Sequence, residues 1–295
     1  MWLLFAVLTV IFWGTSETIF KKSSKGDENS VPHLLAYNGI FFGISGVIYM
    51  LIVYKGFNFD FTNVLKYLPI ASVYILSMFS YYQAMKRVKI SLISPIVNSS
   101  CVITVLLSVF ILKQYPNMAQ TVAIILIIGS IIMLSLNKNN DEDIEKGIKS
   151  KLKINIYLIG IIFALGYFIL DGLASFLDEY TLEGAMIEED ILIAYALIYL
   201  VVGIFSYIYL KLKDKNYSFK LDKWKFGGSI LETAGQYMYI YALGAGNASI
   251  ISPFIASYSI ITIILSRIFL KEKLKPYQYL WIALIIIGVG ILSIE

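Results

Sequence analysis

Apolar residues in this chain come in long runs, and polar residues gather in short gaps between them. A helix needs about 20 apolar residues to cross the hydrocarbon core of a bilayer. Ten runs reach or approach that length, at roughly 2–20, 33–54, 66–85, 90–112, 117–136, 155–177, 190–210, 224–243, 248–270 and 276–294. We number them spans one to ten. The six prolines, Pro32, Pro69, Pro95, Pro116, Pro253 and Pro276, fall just before spans or in their first turns. There the missing N–H has no helical partner to lose. The first run has no basic leader and ends in Phe20-Lys21-Lys22 without a small-residue cleavage pattern. It reads as a retained helix rather than a signal peptide. The pattern predicts an all-α integral membrane protein with ten transmembrane helices, multi-pass in the cell membrane.

The runs repeat. Positions 84–120 and 242–278 align without a gap at an offset of 158 residues, with 13 identities in 37 positions. These include Ser94/Ser252, Pro95/Pro253, Ser99/Ser257, Thr104/Thr262, Ser108/Ser266 and Lys113/Lys271. A self-match at a fixed offset marks a duplicated architecture. The one long polar stretch, NKNNDEDIEKGIKSKLK, falls between spans five and six. The expected organisation is a first five-helix repeat at 1–136, a polar linker at 137–154 and a second repeat at 155–295. An odd number of spans per repeat forces the second copy to enter the membrane from the opposite face. The two repeats are then inverted, as in many secondary transporters.

Composition narrows the class. The chain is 58% hydrophobic and 15% charged, against about half and about a quarter in soluble domains. Its mean hydropathy is +0.75. Cys101 is the single cysteine, so no disulfide can form within the chain. His33 is the single histidine, which removes most metal sites and imidazole chemistry. No cofactor and no metal site are expected. The lysines are spread over loops and make no patch for nucleic acid. The partners implied are the lipid bilayer and a small-molecule solute, with the chain a monomer.

Charge sets an orientation. Of the 24 Lys and Arg, 20 lie in the odd-numbered loops, and only Lys55, Lys66 and Lys113 lie in the even ones. The sixth loop is read as purely acidic, with Asp178, Glu179, Glu183, Glu188, Glu189 and Asp190. By the positive-inside rule the odd loops are cytoplasmic and both termini lie outside.

Three carboxylates interrupt the spans: Glu17, Asp171 and Glu232. An ionisable group at the helix centre costs at least about 2.5–3.5 kcal/mol in a bilayer, so such groups face an interior or a wet cavity. At about 1.5 Å rise per residue, Glu17 and Glu232 reach similar depths from the odd-loop face, and inversion puts Asp171 near the opposite mouth. Glu232, Gln236 and Tyr239 form one stripe of span eight, which the repeat maps onto Tyr74, Met78 and Tyr81 of span three. Trp13 shares a face with Glu17, and Tyr167 with Asp171. Gln83 and Asn98 add amides on spans three and four. A cavity of aromatic rings with a few carboxylates suits an amine or an amphipathic metabolite. Rings hold an apolar body or a cation, and a carboxylate pairs with an ammonium or exchanges a proton, which makes the proton a candidate partner. Blander readings apply to the same residues. Carboxylates near helix ends snorkel to the interface, and tyrosine stripes form interfacial belts. The repeated Ser and Thr positions of spans four and nine are expected to allow close packing and to bond back to their own helices. Spans five and ten, with Gly129, Ser130, Gly288 and Gly290, read as peripheral packing helices.

These residues resemble a known family. Ten spans in two inverted repeats, Phe12-Trp13-Gly14 in span one, and YALGAGNASIISPFIASYSIITIILSRIFLKEKLKPYQYLWIALIIIGVGIL at 241–292 are similar to EamA-type members of the drug/metabolite transporter (DMT) superfamily. The Leu270-Lys271-Glu272-Lys273-Leu274 turn after span nine and the Gly-rich span ten carry most of the likeness. The first half echoes it at 84–136, with Lys113-Gln114 in place of Lys271-Glu272. The resemblance implies a secondary transporter, often an exporter of amino acids or other small metabolites. Its central cavity would be lined by spans one, three, four, six, eight and nine, where Glu17, Tyr81, Asn98, Asp171 and Glu232 fall. It also implies both termini in the cytoplasm, the reverse of what the charge bias gives.

An intramembrane enzyme would need a nucleophile with its base, or a metal. Gly43-Ile44-Ser45-Gly46 lacks the spacing of a nucleophile elbow. His33 stands about 18 Å along the helix axis from Ser45. The expectation is therefore not an enzyme. A non-transporting receptor or scaffold is the other alternative, and it has no need of two faces built alike.

Overall fold

The computed structural model describes residues 1–24, 27, 29–55, 58–88, 96–136, 151–214, 222–269 and 276–294, with backbone alone at 134–136, 151–157, 278 and 293–294. The linker at 137–150, Ser94-Pro95 and the turn at 270–274 lie outside them. Among the described residues there are eleven helices of nine residues or more and no strand. They are α1 (Trp2–Ser23), α2 (Ser30–Val53), α3 (Thr62–Arg87), α4 (Cys101–Phe110), α5 (Met118–Leu136), α6 (Lys151–Leu182), α7 (Glu188–Lys213), α8 (Lys223–Gly244), α9 (Ala248–Ala256), α10 (Tyr258–Phe269) and α11 (Pro276–Ile294). The first eight correspond to spans one to eight, α9 and α10 share span nine, and α11 is span ten. Among the described residues, six stretches are long and apolar enough to cross a membrane: α1, α2, α3, α6 from Leu158, α7, and α9 with α10.

The helix ends follow from charge and capping. Lys21 and Lys22 close α1, Lys86 and Arg87 close α3, and Lys211 and Lys213 close α7. Cations there meet the partial negative charge of the last carbonyls. Glu188, Glu189 and Asp190 open α7, the arrangement the same dipole favours at the other end. The Asp222 side chain caps α8 by accepting from the amides of Trp224 at 2.8 Å and Lys225 at 3.2 Å.

Three expectations change. Pro69 sits inside α3, whose start at Thr62 precedes the apolar run. The Asp60 side chain accepts from the Thr62 amide at 3.0 Å and so begins the helix early. Asp178 and Glu179 are buried residues of α6 rather than part of an acidic loop, because the helix runs on to Leu182. The repeated Ser/Thr positions do not all bond back: Thr262 Oγ1 donates to Tyr258 O at 3.4 Å in its own helix, but Thr104 Oγ1 donates across to Gly172 O at 3.0 Å.

Packing divides the chain into two compact units, each with helices from both sequence repeats. The first holds Met1–Ile75 and Leu177–Asn247, and the second Leu76–Phe176 and Ala248–Glu295. Two of the three boundaries fall inside α3 and α6, and the third lies between α8 and α9.

In the first unit α2 lies on α7, and α1 on α8. The α2–α7 seam is made of small residues. A Cβ added to Gly39 would stand 2.4 Å from Tyr199 O and 2.6 Å from Gly203 Cα, and one added to Gly46 would stand 2.2 Å from Ala196 Cβ. Small residues let two backbones approach closely, a main source of helix association in lipid. Between α1 and α8, Gly228 makes room for the Phe20 ring and Gly235 for the Trp13 indole.

In the second unit α5 packs on α11, and α9 on α4 and α5. Gly288 of α11 faces Ile127 and the Ala123 carbonyl, whereas Gly129 and Gly290 face open space. Gly172 of α6 lies against the Ser100 carbonyl, 2.4 Å from where a Cβ would stand. Span nine breaks between α9 and α10 at Ser257, whose amide bonds to Phe254 O at 3.1 Å. The Ser249 amide, at the start of α9, donates to Gln114 Oε1 at 3.4 Å.

Candidate functional site

The site residues expected from sequence separate into two groups, one in each unit.

The group in the first unit gathers on α8. Ser16 of α1 is buried, and its hydroxyl donates to Glu232 Oε2 at 2.8 Å, with the Gly228 carbonyl oxygen 3.1 Å from the same Oγ. Glu232 thus sits at the level of residue 16, one position from buried Glu17, the shared depth that the helical rise gives. The Trp13 indole occupies the recess at Gly235 and lies against Tyr239, with ring centroids 5.1 Å apart. Gln236 is buried, and its Nε2 has no hydrogen-bond partner among the described residues. The same holds for the hydroxyl of fully buried Ser229. Ser229, Glu232, Gln236 and Tyr239 follow one another at i, i+3, i+7 and i+10, a single face of α8. Buried polar atoms are nearly always paired, so two unpaired ones on one stripe set this face of α8 apart.

This group continues onto α3 and α6. The Tyr239 hydroxyl lies 3.4 Å from that of Tyr74, and Tyr74 donates to Asp178 Oδ2 at 2.7 Å. Tyr67, one heptad before Tyr74, donates to Asp178 Oδ1 at 2.5 Å. Asp178 and Tyr67 are fully buried. Tyr195 of α7 closes the group, its ring 5.6 Å from Tyr74 and 6.1 Å from Tyr67.

The group in the second unit centres on Asp171. Ser100 donates to Asp171 Oδ2 at 2.7 Å, and the Tyr167 hydroxyl also bonds to this carboxyl. The Tyr167 ring packs on that of Tyr81 at 5.4 Å. Asn98 is buried one turn before α4. Gln83 is drawn away: Arg87 Nη1 donates both to its carboxamide oxygen and, at 2.9 Å, to its main-chain carbonyl. Arg87 lies over the Phe163 ring at 5.2 Å, which holds Gln83 in a helix-end pair.

A separate polar cluster joins the α1–α2 connection to the start of α8. Asp27 Oδ2 lies 2.7 Å from His33 Nδ1 and 2.6 Å from Lys225 Nζ. Burial alone would raise the Asp27 carboxyl, but the bonds from His33 and Lys225 outweigh it and hold the group well below the usual carboxylate range. The one histidine is therefore tied into a charge cluster. Among the described residues no group of three or more His, Cys, Asp or Glu side chains has the spacing of a metal site.

Sequence reasoning passed over Asp178, Tyr67, Ser16, Ser100 and Ser229. Tyr67 carried a signal, since Tyr67, Tyr74 and Tyr81 recur every seven residues on α3. Ser229 carried one as well, three residues before Glu232 on the same stripe.

Membrane-length helices in two sequence repeats, with carboxylates and rings buried among them, define a multi-pass membrane transporter of the DMT superfamily. The chain matches the EamA-like transporter family over residues 1–136 and 158–294, and it belongs to that family. An uncharacterized protein of Methanocaldococcus jannaschii is 31% identical over 141 residues, which is 47% of this chain and 96% of that one. A solved crystal structure matches 99% of this chain and 96% of its own with a TM-score of 0.69 and 13% identity, a likeness of fold alone.

Proposed function

We propose that this protein is a secondary transporter that carries a small metabolite across the cell membrane by alternating access, and that the α8 stripe with Trp13 is where it meets the solute. The observation that carries this reading is the stripe itself. Glu232 offers a carboxylate, Gln236 a buried amide nitrogen without a partner, and Trp13 with Tyr239 a pair of ring faces. A protonated amine on an apolar body satisfies all three: the ammonium pairs with the carboxylate, the body lies on the rings, and an acceptor on the solute takes the Gln236 N–H. Asp171 with Ser100, Tyr167 and Tyr81 is read as the corresponding contact of the second unit. Glu17 and Glu232 are candidates for exchanging a proton with the solute. The chain works as a monomer in this reading.

The test is flux. Purified protein in proteoliposomes is offered labelled amines, amino acids and quaternary ammonium ions, chosen first by thermal shift. The expected result is uptake of at least one amine-bearing solute, lost in Glu232→Gln. Binding without uptake for every solute would overturn the reading in favour of a receptor.

A further inference from the structure

Asp178 is the buried carboxylate that none of the roles above uses. It lies in α6 of the first unit with no exposed surface, and hydroxyl groups from two turns of α3 are aimed at its two oxygens, Tyr67 at 2.5 Å and Tyr74 at 2.7 Å. Tyr74 does not end the chain of contacts. Its oxygen is 3.4 Å from the hydroxyl of Tyr239, whose ring packs at 5.1 Å on Trp13. The groups facing Asp178 from the helices around it are Tyr67 and Tyr74 of α3, Tyr195 of α7 and Tyr239 of α8, with Glu179 its neighbour in α6. A buried acid is thus joined through two phenols to the ring pair at the proposed solute contact.

We propose that Asp178 is the proton store of this protein and that Tyr74 and Tyr239 are the wire that joins it to the solute site. The transfer balances at every atom. As protonated Asp178 gives its proton to the Tyr74 oxygen, Tyr74 passes its own hydroxyl proton to the Tyr239 oxygen, the direction in which that hydroxyl pair is oriented, and Tyr239 passes its own to the solute or a water at the site. Each phenol ends neutral, and one proton has moved from the carboxyl to the site. Tyr67, bonded to the other oxygen, positions the acid and takes no part in the relay. The assignment adds a buried acid behind Glu232, the carboxylate at the solute contact in the transporter reading. The inference rests on that reading for its consequence, but the protonation itself can be measured without a solute.

The experiment uses the full chain in nanodiscs with Trp2, Trp224 and Trp281 changed to Phe, so that emission comes from Trp13 beside Tyr239. The probe is pH alone, with infrared difference spectra recording carboxyl protonation in parallel. The parent is expected to show a Trp13 emission titration that coincides with a carboxyl band, and Asp178→Asn to lose both. Tyr74→Phe is expected to keep the carboxyl band and lose the emission change, because the wire is cut while the acid remains. A well-folded Asp178→Asn that titrates like the parent would overturn the proposal, as would an unchanged emission titration in Tyr74→Phe. If Asp178→Asn does not fold, Tyr74→Phe and Tyr239→Phe decide the matter. Absence of flux for every solute with the titration intact would sink the transporter reading alone. Solute flux with a titration indifferent to Asp178 would sink the proton wire alone.

Discussion

Ser99 and Ser257 interrupt their helices with the same pair of backbone bonds. The Ser257 amide bonds to Phe254 O at 3.1 Å, and the Ile260 amide to Ser257 O at 2.9 Å. Counted back by 158 residues, the Ser99 amide bonds to Ile96 O at 3.3 Å, and the Val102 amide to Ser99 O at 2.9 Å. All four close over three residues instead of four, the tighter geometry that marks hinges in helices. The duplication has preserved a joint as well as a sequence. Ser257→Ala should favour a continuous helix by about 0.5 kcal/mol. Hydrogen exchange read at Ile260 should slow, and an equal exchange rate would show that the joint is fixed by its surroundings rather than by Ser257.

Glycine substitutions should separate the seam from the periphery. Gly39→Ala places a methyl group 2.4 Å from Tyr199 O, where only backbone can give way. The expected cost is about 1–3 kcal/mol of stability. Gly129→Ala enters open space in α5 and should stabilise by up to about 1 kcal/mol. Thermal unfolding in nanodiscs measures both, and equal effects would contradict the packing described for α2 and α7.

Ser16 holds Glu232 by a single hydroxyl at 2.8 Å. Its removal in Ser16→Ala is expected to weaken amine binding by about 1 kcal/mol, the usual net worth of such a bond. Glu232→Gln should weaken it at least tenfold, about 1.4 kcal/mol or more. Calorimetric titration with the solute found by flux reads both, and an amine bound equally well by Glu232→Gln would remove the carboxylate from recognition.

Acid should loosen the α1–α2 connection. The carboxyl of Asp27 is held below the usual range by His33 and Lys225. A depressed carboxyl contributes stability that is complete above the ordinary aspartate range and is lost as pH falls through it toward the folded-state value. Limited proteolysis between α1 and α2 should therefore speed up in acid. Asp27→Asn should cleave fast at neutral pH already, with little further change on acidification. An acid response identical in the two proteins would assign it elsewhere.

The C-terminus should face outside. Lysine and arginine crowd the odd loops, and α1, α3 and α7 all end in basic residues toward that side. A phosphatase fused after Glu295 is expected to be active, and a fluorescent protein that folds only in the cytoplasm to stay dark. The reverse pattern would mean that the inherited orientation overrides the charge bias.

The architecture was legible because lipid imposes one rule on every span, and hydropathy reports that rule directly. What hydropathy could not report is a polar group made tolerable by a partner far along the chain. Asp178 reads as loop until Tyr67 and Tyr74 are seen to enclose it, and α6 then extends through Leu182. Counting residues along two helices gives Glu17 and Glu232 similar depths, but it does not give the Ser16 hydroxyl that bonds Glu232. Gln83 could not be placed that way. Helical spacing gives its face but not the competing Arg87 one turn later. The hinge serines stood out as identities between repeats, yet nothing in an identity distinguishes a joint from a packing contact.

Gly39 and Gly203 have a further consequence. They lie on α2 and α7, the second helices of the two repeats, so the seam joins one repeat to the other, although the offset of 158 pairs Gly39 with Leu197 and Gly203 with Ser45. Two polypeptides cut within 137–150 and made in the same cell would carry one face each. They are expected to find each other and co-purify, and Gly39→Leu on one of them should abolish the pairing. Co-purification that survives Gly39→Leu would mean that the halves recognise each other somewhere else.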